Sequence, residues 1–289
     1  NFYIYTKDGA TTKVSFYRSD IFRIWVAPDG NFTDPAGEEE TPIVIYNGKS
    51  IKVNQTDMAD YYKIETDNCV LRIYKRPCTF SLYNKENNIL IFEEITPIVY
   101  GKNSYQTLKR NEDDYFYGCG MQNGHFCHND RSIQIENTFD DELDIWNEHG
   151  TPNAASFYMS LKGYGVFRNT YEGGTYNFLT NVKTVHKENR FDAYYFVGDL
   201  KEILEGYTYI TGRPFLTPSW GLEFGDADRY NDGSFESVEF VDKYIDKEIP
   251  IGWILPNDGY GMDYSRVPEV SIEMQKRGVI TGMWTDKKL

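Results

Sequence analysis

The sequence predicts two architectures in tandem. Residues 1–197 read as a β-sandwich, and residues 198–289 as a linker helix followed by the first βα units of a parallel sheet or (β/α)8 barrel. Three observations carry this. Short runs rich in β-branched and aromatic residues, broken by turn residues, fill the first two thirds. The pattern changes at Val197-Gly198-Asp199. Beyond Trp220, strand-like and helix-like segments alternate.

The first strands are expected at Phe2–Thr6, Lys13–Tyr17, Ile21–Val26 and Pro42–Tyr46, with Asp8-Gly9 and Asp29-Gly30 between such runs as tight-turn dipeptides. Cys69–Tyr74, Thr79–Tyr83, Ile89–Phe92, Ser156–Leu161 and Gly165–Asn169 continue the series. Closely spaced short strands of this kind build antiparallel sandwiches. From Leu200 the apolar positions Ile203, Leu204, Tyr207 and Ile210 follow helical spacing, with Asp199 as N-cap and Gly212 and Pro214 as stop signals. Next come a strand at Trp220–Phe224 and a helix at Phe235–Lys247 with Val238, Val241, Tyr244 and Ile245 on one side. A strand at Ile251–Leu255, a helix at Val267–Arg277 and a strand at Val279–Trp284 complete a βαβαβ series. A closed (β/α)8 barrel takes about 250 residues, so the chain reads as truncated after barrel strand three. It starts at Asn1 rather than Met, which reads as a processed or trimmed product, and no signal-peptide pattern is seen.

Composition narrows the function classes. With 44 acidic and 30 basic residues the formal charge is −14, which argues against nucleic acid or an anionic membrane as partner, because phosphate attraction needs clustered Lys and Arg. No apolar run approaches the roughly 18 residues of a transmembrane helix. Abundant Tyr and Phe, 24 and 18 residues, exclude a disordered chain. The 4 cysteines are too few for a disulfide scaffold and do not fix the compartment; an extracellular location is favoured over a cytoplasmic one.

In a (β/α)8 barrel, functional residues follow the carboxyl ends of the strands. Those positions hold Asp226, Asp228, Arg229 and Asn231 after the first strand and Asn257, Asp258 and Tyr260 after the second. Trp284 ends the third strand, and Asp286 follows two residues on. Carboxylates, an amide and aromatics on one rim fit a sugar site, since carboxylates accept from hydroxyl pairs and aromatic faces stack on a pyranose. Solvated acidic turns are the alternative. The loop Trp146-Asn147-Glu148-His149-Gly150 reads either as ligand-facing or as pinned by a buried Trp. Cys119, His125, Cys127 and His128 match no standard zinc spacing, so no metal and no cofactor are assigned. No phosphate-binding Gly-rich motif or G-x-S-x-G elbow is present. Asn31-Phe32-Thr33 and Asn54-Gln55-Thr56 fit the N-glycosylation pattern.

The stretch from Gly198 through Tyr207, Thr211-Gly212-Arg213-Pro214 and Pro218-Ser219-Trp220-Gly221-Leu222 resembles the approach to the barrel in glycoside hydrolase family 31. These are the α-glucosidases, α-xylosidases, α-glucan lyases and related transglucosylases. Tyr115-Phe116-Tyr117-Gly118-Cys119-Gly120 resembles the family's "YGFGE" turn. Trp146-Asn147 with Ser156-Phe157-Tyr158-Met159 resembles "WNTD…PFYM", and Ile249-Pro250-Ile251 resembles "IPID". The resemblance implies a sandwich leading into a (β/α)8 catalytic barrel. It also implies retaining chemistry on α-glucosidic bonds of glucan oligosaccharides, by way of a covalent glycosyl-enzyme. The family's nucleophile motif, "W-x-D-M-N-E"-like, and its acid/base are absent here, so this chain alone is expected to lack both catalytic carboxylates. The family's hydroxyl-binding Asp of strand two is placed at Asp258, one residue from strict alignment, and its "WNTD" Asp falls at His149 beside Glu148. The wording around Asp226 and Asp258 is closer to the α-glucan transglucosylases, cycloalternan-type enzymes included. The rival readings are a non-catalytic carbohydrate-binding sandwich and a purely structural domain.

Overall fold

The computed structural model describes residues 1–6, 9–36, 41–122, 124–136, 153–227, 236–256 and 264–283. These fall into two compact units, Asn1–Arg213 and Pro214–Leu289.

The first unit is built on a seven-stranded antiparallel sheet. Its order is Phe2–Tyr5, Thr11–Arg18, Ile21–Ala27, Phe191–Val197, Tyr164–Arg168, Asn153–Ser160 and Phe116–Met121. A five-stranded meander, from Asn54–Met58 to Leu90–Glu93, and a four-stranded sheet share one core with it. The four-stranded sheet runs Ser132–Ile135, Gly174–Phe178, Asn181–His186, Ser104–Lys109. Phe22, Ile24, Tyr164 and Tyr195 of the large sheet share this core with Leu71, Leu82 and Phe92 of the meander and Leu108, Tyr176 and Phe178 of the smaller sheet. Aromatic rings fill much of the layer: Phe22 stacks on Tyr195 at 4.8 Å and Phe116 on Phe178 at 4.7 Å. Antiparallel sheets packed about one core are what the strand pattern predicts for this region.

The opposite face of the large sheet is also covered. Helix α1 (Leu200–Thr211) lays Ile203 and Ile210 against Ile21, Phe157, Phe167, Tyr194 and Phe196, and Tyr207 stacks on Phe157 at 4.1 Å. Gly165 permits this approach, because a Cβ there would overlap the Ile203 side chain. Double coverage explains why Ile21–Ala27 and Phe191–Val197 are buried at every position instead of alternating. The helix starts as expected: the Asp199 carboxylate accepts from the backbone N–H of Lys201 and Glu202, and the Glu202 carboxylate accepts from Asp199 N–H at 2.8 Å. Read from sequence as a linker, α1 packs within the first unit.

Two expected strands are not formed. Pro42–Tyr46 is irregular; Ile43, Val44 and Tyr46 pack around α1, and the Ile45 and Tyr46 amides donate to Ile210 O, each at 3.1 Å. The run is apolar because its side chains pack on the α1 core, while its backbone amides supply donors that carbonyls at the end of a helix lack. Ser219–Leu222 is a 3-10 turn, and the strand follows it at Gly225–Ala227.

The second unit has a parallel sheet in the order Gly225–Ala227, Trp253–Leu255, Ile280–Thr281. Helices α2 (Glu236–Asp246) and α3 (Val267–Lys276) supply Val238, Val241, Val270 and Met274 to a core with Ile251, Ile254 and Val279. Arg277 clamps Asp242 with two bonds of 2.6 and 3.0 Å. Tyr244 packs on this core as expected, whereas Ile245, in the last turn of α2, is 44% exposed.

Burial in the first unit shifts Glu94 and His186 in opposite senses. Glu94 accepts from Phe80 N–H at 2.9 Å and from the Gln106 amide at 2.6 Å, yet desolvation pushes its carboxyl from near 4.5 up to about 8. His186 donates from Nδ1 to the Glu172 carbonyl at 2.8 Å and faces the Tyr176 hydroxyl with Nε2, and burial lowers it from 6.5 to about 3. The raised carboxyl stabilises the fold fully below about pH 4.5, and that contribution is lost as pH rises through 8. The lowered imidazole contributes fully above about pH 6.5 and loses its contribution as pH falls through 3. Between these limits the two slopes oppose each other, and from pH 6.5 to 8 only that of Glu94 remains of the pair. The urea midpoint of the native protein is expected to decline over that upper interval, and Glu94→Gln to flatten the decline; an unchanged slope in the variant contradicts the assignment.

Candidate functional site

Of the residues read from sequence as sugar contacts, only Asp226 is among the described residues. Trp146, Glu148 and His149 belong to 137–152, Asp228 and Arg229 to 228–235, Asn257 and Asp258 to 257–263, and Trp284 to 284–289. The structure places the residues that lead into and out of these segments.

In the second unit the three strands run parallel, with Gly225 opposite Trp253 and Trp253 opposite Ile280. Their carboxyl ends therefore share one end of the sheet, and the described chain stops there at Ala227, Pro256 and Met283. Close packing at this sheet is strict, since a Cβ on Gly225 would overlap the Trp253 ring. Asp226, counted from sequence among the rim carboxylates, is inside the first strand. Its Oδ2 accepts from the Tyr244 hydroxyl of α2 at 2.7 Å, and the contact raises the tyrosine above its ordinary value. This is a strand-to-helix tie.

In the first unit, Glu136 and Asn153 bracket segment 137–152. Ser132–Ile135 belongs to the four-stranded sheet and Asn153–Ser160 to the seven-stranded one, so the segment connects two sheets of the same unit. A cleft of about 440 Å³ opens at its root, lined by Glu136, Ser156, Thr170, Tyr171, Glu172 and Tyr207 among others. Lys187 bonds Glu136 at 3.0 Å and holds its carboxyl below the usual range. Ser156 Oγ donates to Arg168 O at 2.7 Å, and the Tyr171 hydroxyl donates to Thr41 O. Tyr171 and Glu172 are exposed, so an aromatic ring and a carboxylate remain on the surface of this cleft. With Glu136 tied to Lys187, what the cleft offers is a ring face and hydrogen-bonding groups of the kind that suit a hydroxyl-rich ligand.

Cys119 and His128 have structural roles. His128 donates from Nε2 to Gly118 O at 2.9 Å and lies over the Phe178 ring. Cys119 is buried, and desolvation raises its thiol well above the ordinary value. Among the described residues, no group of three or more His, Cys, Asp or Glu is placed to hold a metal ion. The Gly118-Cys119-Gly120 stretch forms a bulge where Phe116–Met121 pairs with Asn153–Ser160, immediately beside the end of segment 137–152. The signal for it in the sequence is the pair of glycines flanking one residue.

Packed antiparallel sheets are followed in the same chain by parallel βαβαβ strands. Residues 11–177 match the model for the glycosyl hydrolase 31 N-terminal galactose mutarotase-like domain. The chain belongs to glycoside hydrolase family 31. It is 25% identical over 263 residues to α-glucosidase 2 of Bacillus thermoamyloliquefaciens, covering 84% of this chain and 32% of that protein. It is 22% identical over 233 residues to the isomaltosyltransferase of Sporosarcina globispora, covering 72% of this chain and 20% of that one. The chain thus spans a third or less of these relatives. A Flavobacterium johnsoniae GH31 dextranase solved with isomaltotriose superposes with a TM-score of 0.82 at 18% identity, over 98% of this chain and 38% of that one. A cycloalternan-forming enzyme from Listeria monocytogenes, solved with a pentasaccharide substrate, gives 0.75 at 18% identity, over 96% of this chain and 30% of the other. At that identity these likenesses establish the fold.

Gly120 has a φ of 77°, and a Cβ there would collide with Asn153 O. Gly120→Ala is expected to cost about 2 kcal/mol, read as a lowered urea midpoint; a midpoint that does not move contradicts a required bulge.

Proposed function

We propose that this chain is the N-terminal portion of a retaining glycoside hydrolase or transglucosylase acting on α-glucosidic bonds of glucans and oligosaccharides. The observation that carries the reading is the family match over residues 11–177, followed in the same chain by parallel βαβαβ strands that open at one end. On this reading those strands are the first three of a (β/α)8 barrel, and segments 228–235, 257–263 and 284–289 stand on its substrate-binding rim.

Asp258 is assigned to accept from two hydroxyls of the non-reducing sugar, with Asn257, Asp228 and Arg229 as further polar contacts and Trp284 as a stacking face. Trp146, Glu148 and His149 are assigned to sugar contact from segment 137–152 of the first unit. A carboxylate is suited to a pair of adjacent hydroxyls because it accepts two charge-assisted hydrogen bonds in one plane. The nucleophile and acid/base of a retaining mechanism require two carboxyl groups about 5–5.5 Å apart. No family nucleophile motif occurs in these residues, so both are assigned to sequence outside them.

The gene product that carries this chain is expected to release glucose or form transfer products from maltose, isomaltose or alternan-type oligosaccharides. Asp258→Asn is expected to lower kcat/KM at least about 100-fold with the urea midpoint unchanged. Absence of both hydrolysis and transfer contradicts the reading. The 289-residue chain by itself is expected not to turn over a nitrophenyl α-glucoside, and measurable turnover contradicts the assignment of the carboxylates.

A further inference from the structure

We propose that Asn31 is an acceptor for N-linked glycan transfer on the folded chain, and that the second sequon, at Asn54, is not. The two triplets are equivalent as sequence patterns, Asn31-Phe32-Thr33 and Asn54-Gln55-Thr56. Their surroundings differ.

Asn31 and Thr33 are exposed, while Phe32 between them is half-buried. Its ring meets Trp25 edge-on at 5.2 Å and Tyr3 at 6.2 Å. The backbone around the triplet is held from both sides. Asp29 Oδ1 accepts from Asn31 N–H at 3.0 Å, and Gly30 N–H donates to Ala27 O at 3.1 Å. Arg190 donates to Thr33 O at 3.0 Å, and the next residue, Asp34, accepts from the buried Arg23 at 2.6 Å. The turn is thus anchored by everything except its acceptor groups. Across its outer face the Thr33 hydroxyl donates to Asn31 Oδ1 at 2.6 Å. That bond occupies the amide oxygen and leaves Asn31 Nδ2 on the side away from the threonine.

Asn54 lies at the start of the edge strand Asn54–Met58, in register with Glu65. Its triplet is part of a strand ladder, whereas the Asn31 triplet belongs to no strand. Lys52 stands two residues before it, whereas Asp29 stands two residues before Asn31 and supplies the carboxylate that single-subunit bacterial oligosaccharyltransferases read.

The reaction uses a polyprenyl-diphosphate-linked oligosaccharide as co-substrate. Asn31 Nδ2 bonds to the anomeric carbon, the bond from that carbon to the diphosphate oxygen breaks, and polyprenyl diphosphate leaves with the electron pair. The amide proton passes to a base of the transferase. A glycan at Asn31 would stand beside Tyr3 on Phe2–Tyr5, an edge strand of the seven-stranded sheet, and shield that edge from pairing with other chains.

The test incubates the folded gene product that carries this chain with a single-subunit bacterial oligosaccharyltransferase and an undecaprenyl-diphosphate-linked oligosaccharide, in a mixture that modifies a control acceptor peptide. Intact mass and peptide mapping give the readout. One glycan mass on the Asn31 peptide is expected, with complete loss in Asn31→Gln and in Thr33→Ala. An unmodified chain, a glycan on Asn54, or modification only after unfolding in urea would overturn the proposal.

Discussion

The seven-stranded sheet has to be buried on both faces, and most of the first unit follows from that requirement. Phe191–Val197 lies beside Ile21–Ala27 at its centre, and neither strand has an exposed position. Alternate side chains feed two different cores. Phe22, Ile24, Ala193 and Tyr195 face the smaller sheets, while Ile21, Tyr194 and Phe196 face α1. A helix is needed after the last strand because the second face would otherwise be an exposed apolar surface. The two strands also carry a charge pair: Arg23 forks onto Asp192 with bonds of 2.7 and 2.6 Å and lies 3.5 Å over the Trp25 ring. Such a pair costs desolvation, so its fork geometry and further bonds to Asp34 and Asn169 matter.

Strand pairing positions the residues that flank the segments on which the functional reading depends. Asn153–Ser160 is two strands from the centre, and its start is fixed by the bulge at Gly120, so segment 137–152 returns to the sheet at a defined place. In the second unit, parallel pairing sends three segments out of one end of the sheet.

Much of the scaffold was legible in the amino-acid pattern. Cys69–Tyr74 is a strand over the very residues expected, and Asp199 caps α1 because an Asp with Glu three residues later is a local signal that needs no tertiary knowledge. Pro42–Tyr46 reads as a strand and is not one, because apolar residues packing on a helix end have the same composition as a strand. Trp220–Phe224 fails for a related reason: Pro218 initiates a tight turn, and the short strand that follows, Gly225-Asp226-Ala227, has no strand-like composition. Its identity comes from parallel pairing with Trp253–Leu255, a contact between residues far apart in the chain. The rim positions were read from the βαβαβ order and the particular roles of Asp258, Glu148 and His149 from family likeness, because hydroxyl-binding carboxylates carry no spacing rule comparable to a metal motif; all three lie outside the described residues.

The central claim is that the segments leaving the carboxyl ends of the parallel strands, 257–263 above all, hold the glucan. Amide hydrogen exchange of the gene product that carries this chain, with and without an isomaltose-type oligosaccharide, tests it most directly. The account predicts slowed exchange in peptides covering 257–263, with Phe191–Val197 equally protected in the two states. Exchange that is unchanged in 257–263 at saturating oligosaccharide would contradict it.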